Sequence, residues 1–198
     1  MDRKTQVLKI AKAKGIIKAS DVEAKGISRS YLYALNNAGL LQKISRGLYT
    51  LPGSQITEHI TLIEIAKRIP NAVVCLISAL SYYELTTQLP HEVWITIPRG
   101  AWRPKIDYPS LNLTYASKEV YSYDILEHKI NGVSVKIYSP AKTIADCFKF
   151  RNKIGLDIAI EALKKAWETR KVDMNELVQA AKICKVSKII RPYLETIV

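Results

Sequence analysis

An α+β fold is predicted for this chain: an N-terminal winged helix-turn-helix, then a mixed α+β domain that ends in a run of helices. Three observations predict it. Residues 28–51 read as a capped helix, a glycine stop and a tight hairpin. Short β-branched runs follow between residues 72 and 138, punctuated by turn signals of which Asn131-Gly132 is the strongest. Beyond Ser139-Pro140, apolar residues recur at helical spacing between lysine-bearing faces.

The N-terminal elements are justified in turn. Residues 5–14 place Val7, Leu8, Ile10 and Ala11 against a lysine-rich outer face, and Gly15 ends that helix. Ile16-Ile17 is a short extended entry. Ser20 caps a helix over 21–25 with an acidic first turn, and Gly26 makes the turn. Ser28 is the N-cap of the next helix, with apolar Ile27 before it, Leu32 and Leu35 on one face, and Gly39 at the C′ position. Residues 41–44 and 48–51 form a hairpin around a three-residue loop, Ser45-Arg46-Gly47. In a helix-turn-helix the second helix of the pair enters the major groove of DNA.

With Leu32 and Leu35 inward, the opposite face carries Ser28, Arg29, Ser30, Tyr33, Asn36 and Asn37. Arg matches guanine O6/N7, Asn matches adenine N6/N7, and hydroxyls serve base edges or phosphate. Tyr33 reads equally well as an exposed aromatic without a ligand. Lys43, Ser45 and Arg46 lie on or beside the hairpin tip, where a wing touches phosphate or the minor groove; a basic tip also serves solubility alone. Lys4, Lys18 and Lys25 face either phosphate or solvent.

Charge supports the same end of the chain. The formal net charge is +12 over 198 residues. Residues 1–51 hold ten Lys or Arg against three Asp or Glu, a net of +7, whereas residues 52–198 hold twenty against fifteen. This asymmetry favours a nucleic-acid partner for the N-terminal part over a basic surface that is merely solvated. Cys75, Cys147 and Cys184 are odd in number and form no C-x-x-C pair, which fits a reducing cytoplasm. No apolar signal segment follows the polar start, and the apolar stretch over 72–80 is too short to span a bilayer.

Pro52-Gly53-Ser54-Gln55 is the compositional break, dividing the chain into domains over 1–52 and 56–198. In the second, a buried helix is expected over 58–68 and strands over 72–77, 92–97, 111–115, 123–130 and 133–138. A helix over 78–85 has Ser81-x-x-Glu84 as a possible late cap. Ser139 caps a helix with proline at N1, and helices over 155–169, 173–184 and 188–197 complete the chain. Arg99, Arg103, Lys105, Lys164 and Lys165 suit either a second nucleic-acid surface or plain solvation.

The ordered set of parts resembles a known family. A basic winged helix ends in Arg46-Gly47-Leu48-Tyr49-Thr50-Leu51. Ser78-Ala79-Leu80-Ser81-Tyr82-Tyr83-Glu84-Leu85 and Val93-Trp94-Ile95-Thr96-Ile97-Pro98 follow, and then Val135-Lys136-Ile137-Tyr138-Ser139-Pro140-Ala141-Lys142-Thr143-Ile144-Ala145-Asp146. Together these resemble the AbiEi-type antitoxins of abortive-infection type IV toxin–antitoxin pairs. The resemblance implies a repressor that binds inverted repeats upstream of its own operon. It also implies a C-terminal domain that counters a nucleotidyltransferase-like toxin without a stable complex. By position, Arg29, Tyr33, Asn36 and Arg46 fall on the family's DNA-contacting helix and wing.

An enzyme is the rival class. A metal-dependent nuclease needs clustered carboxylates, but the strand over 92–97 has no acidic residue after Glu92, and Glu84 and Asp107 lack companions. Gly53-Ser54 is not followed by the Asp-x-Asp pair of a nucleotidyltransferase, and His59, His91 and His128 show no metal spacing. Ser139-x-x-Lys142 reads as a helix cap beside a lysine. No catalytic centre, cofactor or metal is expected. An adaptor whose second domain binds protein is the third reading.

Overall fold

The computed structural model describes residues 2–54, 59–106 and 109–197. Gln55, the expected helix start at Glu58, and Asp107 lie outside them. Two compact units are formed: Met1–Pro70 with His128–Val135, and Asn71–Glu127 with Lys136–Val198.

The first unit runs α1 (Arg3–Lys14), β1 (Ile16–Lys18), α2 (Ala19–Glu23), α3 (Ser30–Asn37), β2 (Gln42–Ser45), β3 (Leu48–Thr50) and α4 (Ile60–Arg68). Its three strands form an antiparallel sheet in the order β1-β3-β2. Helix, strand, two helices and a hairpin sharing that sheet define a winged helix-turn-helix. The core follows the apolar periodicity: Val7, Ala11, Ile17, Val22, Ile27, Leu32, Leu35, Leu41 and Tyr49 are buried together. Gly15 belongs to a close approach within this unit. Its φ is +70°, and a Cβ there would lie 2.0 Å from the Asn131 carbonyl oxygen, so only glycine fits.

The larger sheet has the order β6-β5-β4-β8-β7, with β4 (Val73–Val74), β5 (Val93–Pro98), β6 (Leu111–Ala116), β7 (Ile125–Ile130) and β8 (Val133–Tyr138). Strands β5 and β6 run parallel, β4 and β5 antiparallel. Asn131 and Gly132 both take positive φ, as the β7–β8 turn requires. The helices are α5 (Leu76–Tyr82), α6 (Lys118–Ser122), α7 (Pro140–Lys149), α8 (Arg151–Ile154), α9 (Leu156–Glu168), α10 (Met174–Ile183) and α11 (Ser187–Leu194). Ser139 caps α7 as expected, its Oγ accepting from the Lys142 N–H at 3.1 Å.

Several local expectations are corrected. Ser20 does not cap α2 but lies inside it, with Lys18 at the N-cap position. The strand expected over 72–77 shrinks to two residues because the chain turns into α5 at Leu76. Ser81 does not cap a helix start; it lies in the last turn of α5, and Glu84 closes that end at φ +57°. The short helices α6 and α8 fall where neither periodicity nor caps announced them.

Helix α7 is buried along almost its whole length, including Lys142 and Asp146. The Lys142 ammonium meets the Asp146 carboxylate at 2.5 Å and stands 4.4 Å from the Tyr138 ring centroid. Cys184 Sγ donates to Asp146 Oδ1 at 3.4 Å. Burial pushes the Cys75 and Cys184 thiols up to about 12, so both remain protonated. Removing one member of a buried ion pair strands the other. Asp146→Ala should therefore cost about 3–5 kcal/mol in urea unfolding, and replacing both residues by apolar side chains should recover most of it.

Candidate nucleic-acid interface

Helix α3 starts where the serine cap places it. Arg29 already has helical φ and ψ, and Ser28 Oγ accepts from the Ser30 N–H at 3.3 Å and from the Ser30 hydroxyl at 2.9 Å. The turn before it is braced from α1, where the Arg3 guanidinium donates to the Gly26 carbonyl. Leu32 and Leu35 anchor the inner face, leaving Ser28, Arg29, Ser30, Tyr33 and Asn37 exposed.

Two contacts make α3 and the wing one surface. Asn36 is half-buried, and its Oδ1 accepts from the Lys43 N–H of β2 at 2.9 Å. Asn36 thereby ties α3 to the wing strand through one lone pair of its amide oxygen. Tyr33, 57% exposed, sets its ring edge-on to buried Tyr49 of β3, with centroids 6.2 Å apart. Burial and the Tyr33 hydroxyl together raise the Tyr49 pKa above its ordinary value.

The hairpin turns at Arg46-Gly47, one residue tighter than expected, because Ser45 remains in β2 opposite Leu48. Gly47 supplies the positive φ, +79°. Lys43 and Arg46 are exposed, whereas Ser45 Oγ is buried and has no hydrogen-bond partner among the described residues. Arg68 of α4 donates from Nη2 to the Arg46 carbonyl at 2.7 Å, which holds the tip. Arg68 also pairs with buried Glu64 at 2.7 Å.

Sequence reasoning missed an electrostatic clasp that joins α1, β1, α2 and α4. Asp21 Oδ1 accepts from Lys14 Nζ at 2.6 Å, and Oδ2 accepts from the Lys18 N–H at 2.8 Å and from Lys67 Nζ at 3.4 Å. Lys18 Nζ itself donates to the Lys67 carbonyl, so it braces α4. The signal available was a lone carboxylate at the start of a helix in a lysine-rich stretch; nothing in the sequence announced the partner on α4.

The fold class is now defined: a winged-helix module whose α3 and wing are exposed, with Arg29, Lys43 and Arg46 at the surface. Residues 6–52 match the family model described as "Transcriptional regulator, AbiEi antitoxin". That segment spans α1 through β3, the elements built above. No curated protein matches the sequence. Among solved structures, the crystal structure of the RV2827C protein from Mycobacterium tuberculosis superposes with a TM-score of 0.51 at 11% identity, over 98% of this chain and 80% of that one. At that identity the likeness is one of fold. Among the described residues, no helix is long and apolar enough to cross a membrane.

The clasp has a signed pH dependence. Burial works against the charge on Asp21, but the hydrogen bonds from Lys14 and the Lys18 amide and the charge of Lys67 outweigh it, so its pKa falls below the ordinary 3.8. Desolvation lowers the Lys67 pKa despite that carboxylate, with Lys14 and Lys18 adding repulsion. A lowered carboxylate pKa gives stability that is present above the unfolded value and lost as pH falls through the folded one. Asp21→Asn should cost about 1–3 kcal/mol at neutral pH. In urea titrations the gap to wild type should narrow below about pH 4.

Proposed function

We propose that this chain is a cytoplasmic, non-catalytic repressor of its own operon that acts as the antitoxin of a type IV abortive-infection pair. In this reading it binds inverted repeats in its promoter and counters a nucleotidyltransferase-like toxin without forming a stable complex with it. The observation that carries the reading is the single exposed surface of α3 and wing, with Arg29 and Asn37 on the helix and Lys43 and Arg46 on the hairpin. It coincides with the segment that matches the antitoxin regulator family.

The roles divide by chemistry. Arg29 and Asn37 are exposed and supply base-edge donors and acceptors. Lys43 and Arg46 neutralise phosphate and release counterions, so affinity falls steeply with salt. The net charge of +7 over residues 1–51 supports the polyanion partner.

Fluorescence anisotropy on the duplex upstream of the gene, against a scrambled duplex at two salt concentrations, tests the repressor half. Arg46→Ala should weaken both duplexes alike. Arg29→Ala and Asn37→Ala should each erode the preference between them by about 1–3 kcal/mol, whereas Asn36→Ala should weaken both without changing the preference. Equal, weak binding of wild type to both duplexes would contradict the reading. For the antitoxin half, co-expression with the neighbouring toxin should restore growth, and continued arrest would overturn it.

A further inference from the structure

The loop leaving β5 carries a feature that duplex reading by α3 does not use. Trp102 is 94% exposed, although large aromatic side chains are ordinarily well covered in folded proteins. Arg99, Arg103 and Lys105 flank it along the loop, all exposed, and residues 99–105 contain no acidic side chain. The loop is pinned at its root. The Arg99 N–H donates to the Ala116 carbonyl at 2.8 Å, and the Ala101 N–H to the Pro98 carbonyl at 3.0 Å. Pro98 and Pro104 restrict the backbone on either side of the indole. The root lies at the shared C-terminal end of the parallel strands β5 and β6, where Tyr115, 45% exposed, pairs with Ile97. Lys149 lines a small depression together with Tyr115 and Ala116.

We propose that this loop is a stacking platform for single-stranded nucleic acid. Trp102 takes the face of an unpaired base, and Arg99, Arg103 and Lys105 take the flanking phosphates. An indole stacks on any base, because every base has a π-face. Inside a duplex those faces are covered by neighbouring pairs, so the occupant is a single strand. The charge pattern separates this from a protein contact. A tryptophan hot spot at a protein interface is ringed by near-neutral contacts that exclude water, whereas three cations within three residues of the indole complement a phosphate chain. The pinned root and the prolines reduce the ordering cost of binding.

The test uses the full chain with labelled oligouridine, labelled oligothymidine and a duplex of matched length. Trp102→Ala should weaken both single strands about tenfold or more, and Trp102→Phe should retain most of the affinity. Duplex affinity should not change, since the variant leaves α3 and the wing intact. Tighter binding of oligouridine would identify RNA as the source of the strand, and tighter binding of oligothymidine would identify DNA. Single-strand affinities unchanged by Trp102→Ala would overturn the proposal. So would loss of a protein partner by Trp102→Ala with single-strand binding intact, which would assign the indole to a protein contact.

Discussion

Asp21 gathers Lys14, the Lys18 amide and Lys67 around one carboxylate, and the arrangement of the first unit depends on that convergence. A segment with ten cations and three anions repels itself when it folds. Satisfying some of those cations internally relieves the repulsion, and the choice of which ones determines what remains for a ligand. Lys14 and Lys18 of that segment are engaged by Asp21 and the α4 backbone, and Lys67 of α4 joins the same carboxylate. Arg29, Lys43 and Arg46 remain on the outer surface, distributed between α3 and the hairpin.

The second unit handles charge in the opposite way. Its one buried pair, among the described residues, lies on α7, where Lys142 and Asp146 are a helical turn apart and enclosed by Tyr138 and Cys184. A buried pair of this kind adds little net stability over a well-packed apolar replacement, because burying both charges costs desolvation. The apolar contacts of α7 with α5, α9 and α10 supply the packing around it.

The winged helix was legible because its signals are local. Ser28 caps α3, Leu32 and Leu35 set its inner face, and Gly47 turns the wing. Asn131-Gly132 and Ser139-Pro140 were legible for the same reason. What was not legible depends on contacts that no periodicity or cap announces. Asn36 has the composition of a base reader, but its Oδ1 is engaged by the Lys43 amide. Ser45 has the composition of a tip donor, but the tighter turn keeps it in the strand. The hold of Arg68 on the Arg46 carbonyl spans 22 positions and leaves no periodic trace. Trp102 lies among basic residues in the sequence, and its exposure is visible only with the fold.

Residues 6–52 match a transcriptional-regulator family, and the proposed reading assigns sequence discrimination to the exposed face of α3. Methylation interference at guanine N7 on the duplex upstream of the gene measures that claim most directly, because N7 lies on the major-groove edge. The account predicts that methylation at a few guanines blocks binding by wild type, and that Arg29→Ala abolishes this sensitivity while retaining weak, salt-dependent binding. Binding by wild type that is indifferent to N7 methylation throughout the site would contradict a major-groove role for α3.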